Sequence, residues 1–136
     1  MDPAPQSQPT SVAPANTEAG PTDRPRAVIA CYRAKPGQEV GLRALVHDHV
    51  PALRRLGLAT DRAPYSLQAA DGTLVEVFEW SSAKAIEAAH EHPEVHRMWA
   101  AFGQACTYVK LSQLAEAQNL FAEFAPPAPL SRPACP

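Results

Sequence analysis

The spacing of apolar positions changes period several times along the chain, and each change marks an element. Ala27 to Arg33, AVIACYR, is a short run rich in β-formers that ends at Lys35-Pro36-Gly37, so it predicts a first strand followed by a turn and a helix start. From Gln38 the apolar positions Leu42, Leu45, Val46, Val50 and Leu53 recur at spacings of three and four, the period of an amphipathic helix that stops at Gly57. Pro51 lies inside that pattern and predicts a kink or a division near Val50, because proline lacks the backbone donor. Pro64 to Ala70 then leads through Asp71-Gly72, a hairpin-turn dipeptide, into Thr73 to Trp80, TLVEVFEW. Ser81 or Ser82 is a natural cap for the helical AKAIEAAH, and after a break at Pro93 a second helical stretch carries Val95, Met98, Trp99, Phe102 and Cys106. Thr107 to Leu111 reads as a last strand, and Leu114, Ala117, Leu120, Phe121 and Phe124 suggest a C-terminal helix ending before Pro126.

The order is β-α-β-β-α-β plus a helix, an α+β fold of the ferredoxin-like, split-βαβ kind in which strands one and three are central. Strand three places Leu74, Glu76, Phe78 and Trp80 on one face and Val75, Val77 and Glu79 on the other, while strand one offers Val28, Ala30 and Tyr32 against Ile29 and Cys31. Both faces are largely apolar, yet the main helices of such a fold cover only one. A second copy of the sheet across a two-fold axis would cover the other, so the pattern predicts a homodimer.

Composition divides the chain. Residues 1 to 25 hold six of the fifteen prolines and residues 126 to 136 hold five, whereas all nine aromatic residues lie between them. The flanks cannot recover their ordering entropy by burial and are expected to be disordered tails around a single domain at 26–125. That stretch carries ten Lys or Arg against eleven Asp or Glu, no electrostatic footprint for nucleic acid. The N-terminus has no basic start followed by an apolar run, and no segment approaches the length needed to span a bilayer, so a soluble, cytoplasmic protein is expected. Cys31, Cys106 and Cys135 are odd in number and widely spaced, which fits reduced thiols.

Three stretches then carry a resemblance: YRAKPGQE (Tyr32 to Glu39), DGTLVEVFEWSS (Asp71 to Ser82) and AAHEHPEVHRMWAAF (Ala88 to Phe102). From Val28 to Phe124 the chain resembles the dimeric α/β-barrel superfamily, and within it the antibiotic-biosynthesis-monooxygenase-like group. The resemblance implies two ferredoxin-like sheets joined into a barrel, with a cavity between sheet and helices in each protomer. Members include cofactor-free oxygenases of aromatic polyketides, quinol oxygenases, haem-degrading enzymes and proteins without assigned activity. The haem-degrading branch uses an Asn on strand one, a Trp after strand three and an axial His. Here strand one contains no Asn, and in the register set by Trp80 the other two positions fall near Ala89 and on Trp99, so that triad is absent.

Among residues able to carry chemistry, His49 falls four after Leu45 and four before Leu53, on the apolar side of its helix. It reads either as a core histidine with one hydrogen bond or as a pocket proton acceptor, whereas His47 reads as surface. Glu76 sits between Leu74 and Phe78 on a central strand, where an ionised carboxylate is costly unless paired. It is either half of a buried structural pair or the carboxylate that orients a pocket histidine. His90 follows Ile86 by four residues and ends its helix, as a cap or a second pocket histidine. His90, His92 and His96 form H-x-H-x3-H, a spacing that fits no strong zinc pattern and is broken by Pro93, so no metal is expected there. Tyr32, Phe78, Trp80, Met98, Trp99 and Phe102 read as core or as walls of a cavity for a flat apolar ligand.

Three functions follow. The first is a cofactor-independent monooxygenase or related enzyme on a small aromatic or quinol-like substrate, with His49 or His90 as base, Glu76 as orienter and the aromatics as walls. The second is a non-catalytic ligand-binding or dimerisation module, and the third a metal or haem protein. The expected convergence of His49, Glu76, His90 and Trp99 on one cavity places Glu76 within hydrogen-bond or one-water reach of a histidine.

Overall fold

A computed structural model describes residues 23–128, and within them the chain forms four strands and three α-helices. β1 spans Arg26–Ala34, α1 Glu39–Arg55, β2 Tyr65–Gln68, β3 Leu74–Trp80, α2 Ala83–Ala89, α3 Pro93–Ala105 and β4 Cys106–Val109. The strands make one antiparallel sheet in the order β2-β3-β1-β4, with β1 and β3 central as the alternation of their side chains requires. The expected α+β, ferredoxin-like arrangement is therefore present. Most of the expected tails, residues 1–22 and 129–136, lies outside the described residues.

Local chemistry accounts for the boundaries. β1 ends before Gly37, whose φ of 80° lets the chain turn into α1. α1 has Glu39 in its first turn and Arg54 and Arg55 in its last, each the charge its end of the helix dipole favours. The helix runs unbroken through Pro51, so of the expected kink or division the division does not occur. Both Pro51 and His47 are exposed, and His47 bears the carbonyl that residue 51 would have bonded, so water can replace the missing donor. Ser82 caps α2 by accepting from the Ala85 N–H at 2.9 Å, and Pro93 opens α3 where its missing N–H costs nothing.

The hairpin between β2 and β3 forms around Asp71-Gly72 with a longer turn than the dipeptide alone suggests. Ala69 accepts from the Gly72 N–H at 2.9 Å and donates to the Thr73 carbonyl at 2.8 Å, with Gly72 at φ 94°, so three residues form the loop. Asp71 closes it by accepting from the Thr73 N–H at 2.9 Å, and that bond is the main reason its carboxyl titrates below the usual range.

α1 and α3 pack on one face of the sheet, where Tyr32, Leu42, Leu74 and Phe102 form one buried cluster and Leu53, Phe78, Trp80 and Val95 another. The opposite face is covered in part by the chain's own C-terminal segment. Leu114, 1 % exposed, sits with Ala117 and Phe124 against Cys31, Ala69 and Val75. The expected continuous C-terminal helix is instead two short 3-10 turns, Leu111–Gln113 and Ala115–Gln118, followed by extended chain that bridges Gln68 through Ala125. Contact continues past the expected domain end, since the Ala128 N–H donates to Gln68 Oε1 at 3.1 Å. Among the described residues nothing covers the rest of this face, where Tyr65, Val77 and Ile29 stand in one cross-strand row, with Tyr65 68 % and Ile29 49 % exposed. Among the described residues Cys31 and Cys106 are free buried thiols, and no helix is long and apolar enough to cross a membrane.

Candidate functional site

A cavity of about 490 Å³ opens between the sheet and the helices. Its walls are Val28, Ala30 and Tyr32 from β1, His49 from α1, Phe78 and Trp80 from β3, Trp99 and Phe102 from α3, and Tyr108 from β4. The strands supply alternate residues of one face, and the helices supply residues of their buried stripes. Rings dominate the wall, with the Tyr32 and Phe102 centroids 5.1 Å apart and the His49 ring edge-on to both Phe78 and Phe102 at 5.2 and 5.1 Å. Among the described residues no lysine or arginine lines it.

Behind this wall lies a buried polar trio. Glu76 is 1 % exposed and accepts at Oε1 from the Tyr32 hydroxyl at 2.7 Å and from His49 Nδ1 at 2.9 Å. A buried carboxylate with no partner would be strongly unfavourable, and these two donors meet that need without an arginine or lysine. Tyr32 remains a donor: burial first, and the negative charge of Glu76 second, push its phenol far above the ordinary tyrosine range. A carboxylate only accepts, so the proton on Nδ1 is assigned by this bond, and Nε2 is left for other use. His49 Nε2 is buried and has no hydrogen-bond partner among the described residues. A histidine fixed through one nitrogen by a carboxylate, with a covered and unpartnered second nitrogen on a side chain that lines an apolar cavity, can accept a proton or a hydrogen bond from a molecule that reaches that nitrogen.

The predicted residues separate into three groups. His49, Tyr32, Phe78, Trp80, Trp99 and Phe102 line the cavity, while Glu76 lies one layer behind it and reaches His49 directly. His90 and Met98 stand apart from the lining. His90 is exposed, with Nδ1 bonded to the Ile86 carbonyl at 2.9 Å, and meets the site only through its ring, 5.2 Å from that of Trp99. The helix ends at His90, so its side chain returns to the last turn instead of entering the sheet layer. Met98 is packed among the side chains of both core clusters.

His92 and His96 bond neighbouring backbone, His92 Nδ1 accepting from the Glu94 N–H at 3.2 Å and His96 Nε2 meeting the His90 carbonyl. Among the described residues no group of three His, Cys, Asp or Glu is placed to hold a metal ion. Tyr108, 57 % exposed at the rim, is the lining residue with a polar end that sequence reasoning missed. The available signal was strand parity: Cys106 opens β4 buried, and Tyr108, two residues on, lies on the same face, opposite Tyr32.

The fold has a solved counterpart. The structure of Rv0793 from Mycobacterium tuberculosis matches with a TM-score of 0.50 and 24 % identity, covering 67 % of this chain and 98 % of that one. At this identity the likeness is one of fold. No protein-family model and no curated protein matches the chain.

Proposed function

We propose that the protein binds a small, flat, hydroxylated aromatic or quinol-like molecule between sheet and helices and uses His49 to take its hydroxyl proton. The observation that carries this reading is the buried, unpartnered Nε2 of His49 in an aromatic wall, with Nδ1 tied to Glu76. The resemblance of Val28 to Phe124 to antibiotic-biosynthesis-monooxygenase-like proteins supports the further step: the electron-rich anion reacts with dioxygen, one oxygen atom entering the substrate and the other leaving as water. In this reading the reducing electrons come from the substrate, His49 is the base, and Glu76 holds and charges it. The aromatic side chains exclude water.

The open apolar row of Ile29, Tyr65 and Val77 supports a homodimer in which a second sheet covers it, and the reduced buried thiols fit a cytoplasmic location. The test is oxygen uptake with a panel of small hydroquinones and naphthols in metal-chelated buffer. Turnover is expected, with His49→Gln lowering it roughly 10²- to 10⁴-fold, the usual contribution of a general base. Saturable binding without oxygen uptake would leave a ligand-binding module; no binding at all would overturn the pocket assignment.

A further inference from the structure

The readiness of His49 to accept a proton depends on how firmly Glu76 holds its other nitrogen, and His49 does not have that carboxylate oxygen to itself. Tyr32 Oη and His49 Nδ1 donate to the same atom, Oε1, at 2.7 and 2.9 Å. An acceptor shared between two donors offers each less negative charge than it would offer one. The phenol lies on the shorter bond, and burial keeps it protonated, so it is a constant competitor.

The competition is also held rigidly. Tyr32 and Glu76 stand on the two central, mutually paired strands, where Tyr32 lies opposite Leu74 and Ala30 opposite Glu76. The Tyr32 ring is flanked by Phe102 at 5.1 Å and Tyr108 at 5.8 Å, so the hydroxyl has little freedom to leave Oε1. The ionisable groups facing His49 from the neighbouring strands are Tyr32 on β1, Glu76 on β3 and Tyr108 on β4, whereas α3 presents Trp99 and Phe102.

We infer that Tyr32 is a positioning residue for His49: by drawing charge from Glu76 Oε1 it sets how strongly the carboxylate stabilises an imidazolium, and so how far a bound hydroxyl passes its proton to Nε2. This rests on the reading of His49 as proton acceptor. In the step concerned, the ligand O–H bond breaks, an N–H bond forms at Nε2, and the electron pair stays on oxygen as the ligand anion. Nothing is oxidised, and the net charge of the site is unchanged. The tyrosine thus restrains the pair, shifting the proton equilibrium toward the neutral ligand.

The probe is 4-nitrophenol, whose anion absorbs in the visible, titrated into the full-length protein. Tyr32→Phe is expected to raise the bound anion-to-phenol ratio by roughly threefold, the scale of one altered charge-assisted hydrogen bond. The same variant should move the His49 Nδ1–H proton resonance downfield, because Glu76 Oε1 then serves one donor. Replacing the three tyrosines by 3-fluorotyrosine, a more acidic phenol and a stronger donor, should move both readouts the opposite way. An unchanged or upfield Nδ1–H resonance in a folded Tyr32→Phe protein would overturn the inference, and so would an unchanged resonance in the fluorinated protein if the variant does not fold. A tyrosine that only supports packing would move neither. If 4-nitrophenol does not bind, the pocket reading fails while the resonance still decides the role of Tyr32.

Discussion

The two faces of the same pair of strands are built on opposite terms. On the helix side, β1 and β3 contribute Tyr32 and Glu76 to a polar trio with His49 inside an aromatic layer, and the layer retains a cavity. On the far side the same strands present Ile29, Cys31, Val75 and Val77, with Leu114, Ala117 and Phe124 closing part of the surface by apolar contact, and the polar groups there, Glu79 and Glu116, are bonded at its margins to Thr60 and to the Ala70 N–H. Among the described residues the far side is packed without a buried charged group. Replacing a buried ionic group by apolar residues of similar volume is often neutral or stabilising, so stability alone does not account for Glu76 and His49, and the proposed role of His49 as proton acceptor would account for them.

The largest effect expected is on the helix side. Glu76→Ala strands the Tyr32 hydroxyl and His49 Nδ1 without an acceptor and should destabilise the domain by about 3–5 kcal/mol, measured by urea unfolding. Replacing the three polar residues together, as Tyr32→Phe, His49→Leu and Glu76→Leu, should restore most of that stability while ligand binding stays lost. A triple variant no more stable than Glu76→Ala would break the contrast, because the trio would then be structural.

Next comes the apolar side. Leu114→Ala removes a side chain only 1 % exposed and should cost about 2–4 kcal/mol, with the cavity and its ligand binding intact in the folded fraction. A loss of binding in that folded fraction would show that the two faces are coupled through β1 and β3.

Smaller in stability but clear in mass is Ile29→Glu, on the open row. At concentrations low enough for the parent to be monomeric it should change the unfolding free energy by less than about 1 kcal/mol, as exposed substitutions do, whereas at higher concentrations it also forgoes the stability that association adds. Light scattering should give twice the chain mass for the parent protein and the single mass for this variant. A monomeric parent would remove the second-copy reading of that row.

The smallest effect lies in the hairpin turn, away from both faces. The Asp71 carboxyl is held below its usual range chiefly by the Thr73 N–H, so its contribution is present above the unfolded carboxyl range and is lost as pH falls through the depressed folded value. The side chain is 49 % exposed and its Arg33 partner 48 %, so solvent screens the pair and the loss should be slight. Comparing Asp71→Asn with the parent in thermal melts between neutral and strongly acidic pH should show curves that converge only at the acid end. A gap that persists there would mean that the turn geometry, and not the charge, is responsible.

Much of this was legible in residue order. The β-α-β-β-α-β sequence, the central place of β1 and β3, the inward stripe that carries His49 and the burial of Glu76 beside Leu74 and Phe78 all follow from periods of two and 3.6, because such alternation leaves a strand or helix one way to bury its apolar face. His49 and Glu76, twenty-seven residues apart, were each recognisable as polar groups on apolar faces. Their partnership followed once the helix was known to lie over the strand.

What sequence could not settle were the matters decided by where elements end and what they meet. Pro51 was tolerated because the carbonyl left without a donor belongs to an exposed residue. His90 fell outside the cavity because the helix stops there and its ring turns back to Ile86 and Trp99. The segment after β4 became two 3-10 turns and an extended bridge to Gln68, because its apolar residues had to follow the surface of the sheet. Tyr108 joined the cavity through its pairing opposite Tyr32. That Tyr32 and His49 share a single oxygen of Glu76 is likewise a fact of three elements meeting. Local periodicity records which side of an element is buried, whereas the atom a buried group will meet is set by the packing of all of them at once.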